Sequence, residues 1–484
     1  MSKTQPSLRK LNVLSSLRYL LNKKITLKRY WQKILLLTGI FLFITITVVH
    51  LQYPKAAMAI NTYYVATNGS DSNSGTQQYP FATIAYAANK AQPGDTIYIR
   101  GGTYYPTKEI WIGNKGTASA PIAFESYSGE RAIIDGSNLP TNKDPIAIGG
   151  EYIDIKNLEI RNAPRTGLTV WGGNHIKLLN NVVHDINGIG IYVGHDNLKQ
   201  VTDILIEGNT VYHTNLKNSS HNDFGGNWGN GITASGSDNI QVINNKVYEN
   251  HGEGIGLWGS DILISGNTVY DNYSVEIYLD GVGNATVQRN LIYTTNNSTY
   301  YRFGHPAVGI QVANEGGKYQ LQNNKIINNI VIGGGWGFYY GNYKSGGGMK
   351  NMLIANNTFY KGTRGLINID EDAGHNKTVF TNNIFYQVND VQMTQFSADS
   401  ALQFHHNAWY GGSAGSGAGN GDVNANPMLV KPGTLTARDY RLKAGSPLIE
   451  AGSRVTQVTN DYAGSTRPLD DEYDIGAYEY FAGL

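Results

Sequence analysis

The chain has 484 residues, of which 15% are charged, a net charge of +1 at neutral pH and no cysteine. Disulfides and thiolate metal sites are therefore excluded, and with no basic stripe interleaved with aromatics, nucleic acid is excluded as a partner. The 58 Gly and 33 Tyr residues point to a loop-rich β protein.

The first 33 residues carry Arg9, Lys10, Arg18, Lys23, Lys24, Lys28, Arg29 and Lys33 without one acid, and residues 34–49 are apolar apart from threonines and one Gly. Ala57, Met58 and Ala59 then form a small-x-small site. This is the layout of a signal peptide with a long basic leader cleaved after Ala59, or of an uncleaved anchor over residues 34–51. Both readings export the rest of the chain, to the extracellular space, the periplasm or the cell surface, and confine membrane contact to this segment. Without the leader the chain is mildly acidic.

Residues 60–147 read as an N-terminal cap and the first coils of a repeat. Tyr63, Tyr64 and Val65 predict a strand, 81–91 a short amphipathic helix and 94–99 the next strand. A helix over the open end of a solenoid shields its core and blocks edge pairing.

Residues 148–410 repeat a motif of alternating aliphatics, an Asn or Asn pair, then Val-Tyr, a polar stretch and Gly-Ile. Its last Asn falls at Asn157, Asn181, Asn209, Asn245, Asn267, Asn290, Asn324, Asn357, Asn383 and Asn407. Three- to five-residue strands at this period, with no helical periodicity, predict an all-β parallel β-helix, a solenoid of about ten coils. Alternate aliphatics face inward, the Asn takes the left-handed conformation of a sharp corner, and stacked Asn amides bond along the axis. Two Asn pairs compete for that corner near Asn324 and Asn329. A Gly-rich stretch over 411–424 predicts a flexible link to a closing segment, 425–484, whose acids and aromatics are expected to cap the last coil.

The opening run, Tyr63-Tyr64-Val65, Ser70 to Thr76, Pro80 to Ile84, Gly94 to Ile97 and Gly101 to Tyr104, resembles the opening segment of right-handed parallel β-helix proteins of the pectate lyase-like group, notably family 9 polysaccharide lyases. The run from Asp439 through Gly445-Ser446-Pro447 to Asp474-Ile475-Gly476-Ala477-Tyr478-Glu479 is similar to the closing segment of many bacterial surface β-helix proteins. The first resemblance implies a right-handed solenoid acting on polysaccharide, with a calcium ion held by aspartates and a lysine base. Aligned by coil, those positions hold Asn230, Gly252-Glu253-Gly254-Ile255-Gly256 and Ala234-Ser235. None of the family's residues is kept, so its calcium site and base do not carry over, and calcium stays open as a cofactor.

Site candidates follow from coil length. The Asn245 coil passes from Tyr248 to Gly254 directly, whereas the Asn209 coil inserts residues 213–230 and the Asn290 coil residues 294–308 at the same corner. Two walls then flank two bare coils, which makes a groove. Alternation on its floor sends Thr233, Ser235, Trp258, Tyr278, Asp280 and Gln311 outward, and aromatic rings on an open strand face can carry sugar rings. Glu253, Glu276, Asp280 and His221 are the candidate catalytic groups. Asp223, Trp228, Ser235, Trp258, Tyr278, Arg302, His305 and Gln311 are the candidate substrate contacts, and His213 also lies on a wall.

Three readings remain open from these residues. A polysaccharide lyase on an acidic polymer needs a cation against the uronate and a base, for which His221, Arg302 or His305 would serve. A glycoside hydrolase would use Glu253 and Asp280 as its acid and base. A noncatalytic surface protein would bind glycans along the groove. In each case the partner is a polysaccharide and the chain acts as a monomer.

Overall fold

The computed structural model divides the chain into two units, residues 1–59 and 60–484. In the first it describes residues 22–24, 27–33 and 35–36, which are helical and exposed, and in the second residues 60–194, 201–221, 228–316, 319–344, 346–388 and 390–482. Most of the expected leader and nearly all of the expected anchor therefore lie outside the described residues. No described helix is long and apolar enough to cross a membrane.

The second unit is a right-handed parallel β-helix. Its strands form a 22-stranded sheet that wraps two faces of each coil and a 12-stranded sheet of three- and four-residue strands on the third. The two faces of the larger sheet run together where Ile232–Ile243 and Ile255–Ser265 bend from one to the other in a single strand. Parallel pairing keeps like over like: Ile232 stacks on Ile255, Ile255 on Ile277, Ile277 on Ile310 and Ile310 on Phe338. These inward columns build one continuous apolar core from Val65 to Trp409.

The predicted Asn ladder exists, with two corrections. Its rungs are Asn181, Asn209, Asn245, Asn267, Asn290, Asn329, Asn357, Asn383 and Asn407, each of the first eight donating its backbone N–H and its Nδ2 to the next rung's Oδ1. Asn329, not Asn324, carries the ladder, and Asn157 lies outside it because Leu158 occupies the first rung and donates to Asn181. The left-handed residue is the one before each rung: Asn180, Asn244, Asn328, Asn356 and Asn382 have φ of 54–56°, with Gly208, Gly266, Arg289 and His406 replacing Asn in four coils. The pair thus divides its labour, the first residue turning the corner and the second tying coil to coil. Asp422 Oδ1 closes the ladder by accepting from the Asn407 N–H.

The cap helix is shorter than 81–91. It spans Ile84–Lys90, with Thr83 as N-cap, and Ile84, Ala87 and Ala88 buried against the first coils. Phe81 instead bridges to Val65 as the end of a strand pair. Residues 411–421 are a packed turn and not a loose link, since Asn420 and Val423 pair with the last coil. The closing segment does not cap that coil either. It lies back along the flank, where Asn328, Asn356 and Asn382 donate to the Asn460, Asp474 and Ser453 carbonyls and Ala477 N–H donates to Thr358. A buried Arg467–Glu479 ion pair sits within it. The Asn residues left over at each corner supply the amides that hold the strap.

Candidate functional site

The two insertions leave from one corner, as their sequence spacing predicts. The strands before them stack Tyr212, Tyr248, Tyr270 and Tyr293, and the strands after them stack Ile232, Ile255, Ile277 and Ile310. The walls are not parallel banks, however. Arg302 lies 4.7 Å over the Trp228 ring, His221 stacks on Tyr273 at 3.8 Å, and His251 packs on Tyr300 at 5.2 Å. The insertions thus meet and roof the bare corner, and the open trough lies farther out on the larger sheet.

This contact redistributes the candidates. His221 bonds to His251 Nδ1 at 3.0 Å inside the roof, and burial lowers the pKa of both imidazoles, that of His251 to about 4. His213 lies against Asp185 and Glu249 beside the stacked tyrosines. Asp223 falls among residues the structure does not describe.

Glu276, a candidate catalytic group, does not face the trough. Its column holds Gly231, Gly254 and Gly309 in the neighbouring coils, where a Cβ would strike Val247, Val269 or Val331 of the facing sheet. The column therefore points inward, and Glu276, 3% exposed, sends its carboxyl into the corner. There it accepts from the backbone N–H and the side chain of Asn272, which in turn accepts from Asn250. Burial raises its pKa well above the usual range. Glu276 is thus the end of a second, internal amide chain and is withdrawn from the candidate catalytic set.

Glu253, Asp280 and a residue without any sequence signal, Glu315, converge on the floor. Glu253 folds over Gly256, where a Cβ would come within 2.5 Å of its Oε2 and 2.2 Å of Asn230 Nδ2. Its pKa is pushed up to about 8, first by desolvation, then by the charges of Glu315 and Asp280, against smaller opposing effects of Arg302 and an Asn230 hydrogen bond. The carboxyl keeps some surface exposed yet is held protonated near neutral pH. Asp280 accepts from the Glu315 N–H at 2.9 Å, and burial raises its pKa as well. Tyr278 is no open platform: it is 7% exposed, packs with Val275, Val308 and Ala313, and donates its hydroxyl to Glu315 at 2.6 Å. Trp258 stays half-exposed, edge-on to Tyr319, and Ser235 beside it accepts a Ser237 hydroxyl bond at its carbonyl.

In the following coils of the column that holds Gly256, Tyr278 stacks on Gln311 and Gln311 on Tyr339. Here a cleft of about 230 Å³ is lined by Arg302, His305, Gln311, Tyr339, Tyr343 and Arg364. Arg302 is fixed by Ser274 Oγ at 2.8 Å and Arg364 lies 5.7 Å over Trp336. In the same cleft His305 bonds to Thr363 Oγ1 through Nδ1, and its pKa is lowered by burial and by the Arg364 charge. Gln311 donates to the Tyr343 hydroxyl at 2.9 Å and Tyr339 donates to Asp370. Arg364 was within reach of the corner argument, because it occupies the same corner two coils on. Tyr339 and Tyr343 carried no signal, since one Tyr in a Tyr-rich repeat resembles the next.

The donor set does not fit the calcium site that the resemblance implies. Calcium takes six to eight oxygens, whereas among the described residues no three His, Asp or Glu side chains are placed to hold a metal. Asn230 Oδ1 lacks a partner, but Asp280 and Glu315 are already engaged with each other and with Tyr278.

A solenoid of this hand, carrying a polar trough on one sheet, is a polysaccharide lyase-like carbohydrate-active fold. Residues 63–272 match the Pel9A-like, right handed beta helix region and residues 215–345 the general right handed beta helix region. The chain is 31% identical over 351 residues to the uncharacterized protein YwoF of Bacillus subtilis, covering 63% of this chain and 69% of that one. It is also 24% identical over 431 residues to pectate lyase L of Dickeya dadantii, covering 86% and 90%. Among solved structures, pectate lyase Pel9A superposes with a TM-score of 0.53 at 18% identity, over 88% of this chain and 98% of that one. The chain belongs to the Pel9A-like right-handed β-helix family.

Proposed function

We propose that this protein is an exported, monomeric polysaccharide lyase that cleaves an acidic polysaccharide by β-elimination in the Arg302–Arg364 cleft. The observation that carries the reading is an imidazole that shares one cleft with two arginines and is kept neutral by burial and by the Arg364 charge. The arginines neutralise the uronate carboxylate and so acidify the proton at C5, the task that calcium would otherwise perform. With its Nδ1 proton on Thr363, His305 takes the C5 proton at Nε2. The C5–H electrons form the C4–C5 double bond, the C4–O bond breaks, and the leaving oxygen is protonated by Tyr343, whose hydroxyl accepts from Gln311 and keeps its own proton to give. The pectate lyase relatives support elimination over other chemistries. Export rests on the basic leader and the apolar run that follows it.

The protonated state of Glu253 favours a second reading, hydrolysis with Glu253 as general acid and Asp280 as its partner. Purified protein incubated with a panel of uronate polymers distinguishes the two. Elimination yields unsaturated uronides with ultraviolet absorbance, while hydrolysis yields reducing ends without it. Arg364→Ala is expected to lower kcat/KM for elimination by about a hundredfold, the worth of one electrostatic donor. Unchanged turnover in that variant would remove the cleft from the mechanism.

A further inference from the structure

The trough is electrostatically divided along its length. Arg302, His305 and Arg364 line one stretch, with Arg302 at its boundary, over Trp228 and near enough for its charge to act on Glu253, while Glu253, Asp280 and Glu315 line the next, and the Tyr278–Gln311–Tyr339 column joins them in consecutive coils. One to two coil spacings, about 5–10 Å, separate the two stretches, which is the reach of one or two sugar units in an extended chain. A polymer threaded along the axis with a uronate in the cationic cleft therefore lays its neighbouring sugar over the carboxylates.

A second carboxylate there would meet the charges of Asp280 and Glu315 at close range in a partly desolvated site. What the stretch offers instead is hydrogen-bond acceptors. Asn230 is 7% exposed, its amide lies against Glu253 over Gly256, and its Oδ1 has no partner. Thr233 Oγ1, in the adjoining coil of the same column, is likewise buried and unpartnered. Buried acceptors of this kind cost free energy unless a donor reaches them, and the hydroxyls of a neutral sugar are such donors. The half-exposed Trp258 ring, set in the next outward column of the same strand, provides an apolar face beside them.

Resting on the elimination reading above, we infer that the natural substrate is a heteropolysaccharide in which uronic acid alternates with neutral sugar. The cationic cleft takes the acid, and the Asn230–Glu253–Asp280 stretch takes the neutral unit. A homopolymer of uronic acid satisfies the first stretch and is repelled by the second.

Turnover of a homopolyuronate and of an alternating uronate–neutral polymer is compared by ultraviolet absorbance, and binding of oligosaccharides of each kind and equal length by calorimetry, which needs no turnover. The alternating ligand is expected to bind, and its polymer to be cleaved, at least about tenfold better. Asp280→Asn combined with Glu315→Gln is expected to narrow that ratio, and Asn230→Ala to weaken the alternating ligand alone. Wild-type protein that binds or cleaves the homopolymer as well as the alternating one overturns the inference and leaves elimination standing. Absence of unsaturated product from both polymers overturns the elimination reading, while the calorimetric ratio still decides which sugar each stretch takes. A narrowed ratio that returns when Asp280 and Glu315 are restored supports the assignment, and an unchanged ratio refutes it.

Discussion

Removing one rung of the Asn ladder tests the physical basis of the fold at a single atom group. Asn267 is fully buried, and its amide takes part in four hydrogen bonds: its Oδ1 accepts from the Asn245 N–H and Nδ2, and its own Nδ2 donates to the Val242 carbonyl and to Asn290 Oδ1. Asn267→Ala erases all four and strands the Asn245 N–H and the Val242 carbonyl inside the corner. At about 1 kcal/mol net for each bond, with a further penalty for groups left dry and unpaired, the loss comes to about 4–5 kcal/mol. Asn267→Asp is expected to be worse still at neutral pH, because a carboxylate keeps the acceptor but loses both donors and buries a charge. Lys246→Ala, on the exposed neighbour, should stay within about 0.5 kcal/mol. Since each coil touches only its neighbours, the damage is local. Urea denaturation followed by hydrogen exchange at the Asn245 and Thr268 amides reads both the size and the place of the effect. If Asn267→Ala unfolds within about 0.5 kcal/mol of wild type, the ladder is a by-product of the corner and not its fastening.

Glu253 makes stability depend on pH. Its pKa rises from 4.5 toward about 8 on folding, so its contribution is fully present below the lower value and is lost as pH rises through the upper one. Glu253→Gln should therefore match wild type near the lower pH and exceed it above the higher, by about 2 kcal/mol once the surface it keeps exposed is allowed for. Parallel denaturation curves across that range would refute the burial argument. Glu276→Ala should cost about 3 kcal/mol, from two unsatisfied Asn272 donors and the space left in the corner, with kcat of the folded fraction unchanged; a loss of kcat at full stability would return Glu276 to the site. His305 is held neutral by burial and by Arg364, so the acid limb of kcat/KM should fall below the ordinary imidazole pKa of about 6.5. Arg364→Gln should move that limb upward, and a limb that stays in place would rule out His305 as the base.

Much of the site was legible because a solenoid converts sequence period into spatial adjacency. Two long connections at one point of the repeat had to emerge at one corner, which placed Trp228, Arg302 and His305 on the walls and Glu253 and Asp280 on the same floor. Alternation could not tell Glu276 from its neighbours, because a corner interrupts the two-residue period and the direction of a side chain there depends on how far the facing sheet lies. Glu315, Tyr339 and Tyr343 entered only through contacts between coils about 30 to 60 residues apart in sequence.

The sequence by itself determined the solenoid, ten of its twelve coils and the corner that carries the insertions, because each follows from local periodicity repeated many times; the first two coils lack the Asn motif that marks the others. It also carried the amide ladder, though the choice between Asn324 and Asn329 needed the stacking of one coil on the next. Only the tertiary structure decided that the walls meet, that Tyr278 is covered and that the cationic and acidic stretches lie end to end. Those facts depend on how irregular loops pack against one another, where no period constrains the chain and a few ångströms separate a wall from a roof.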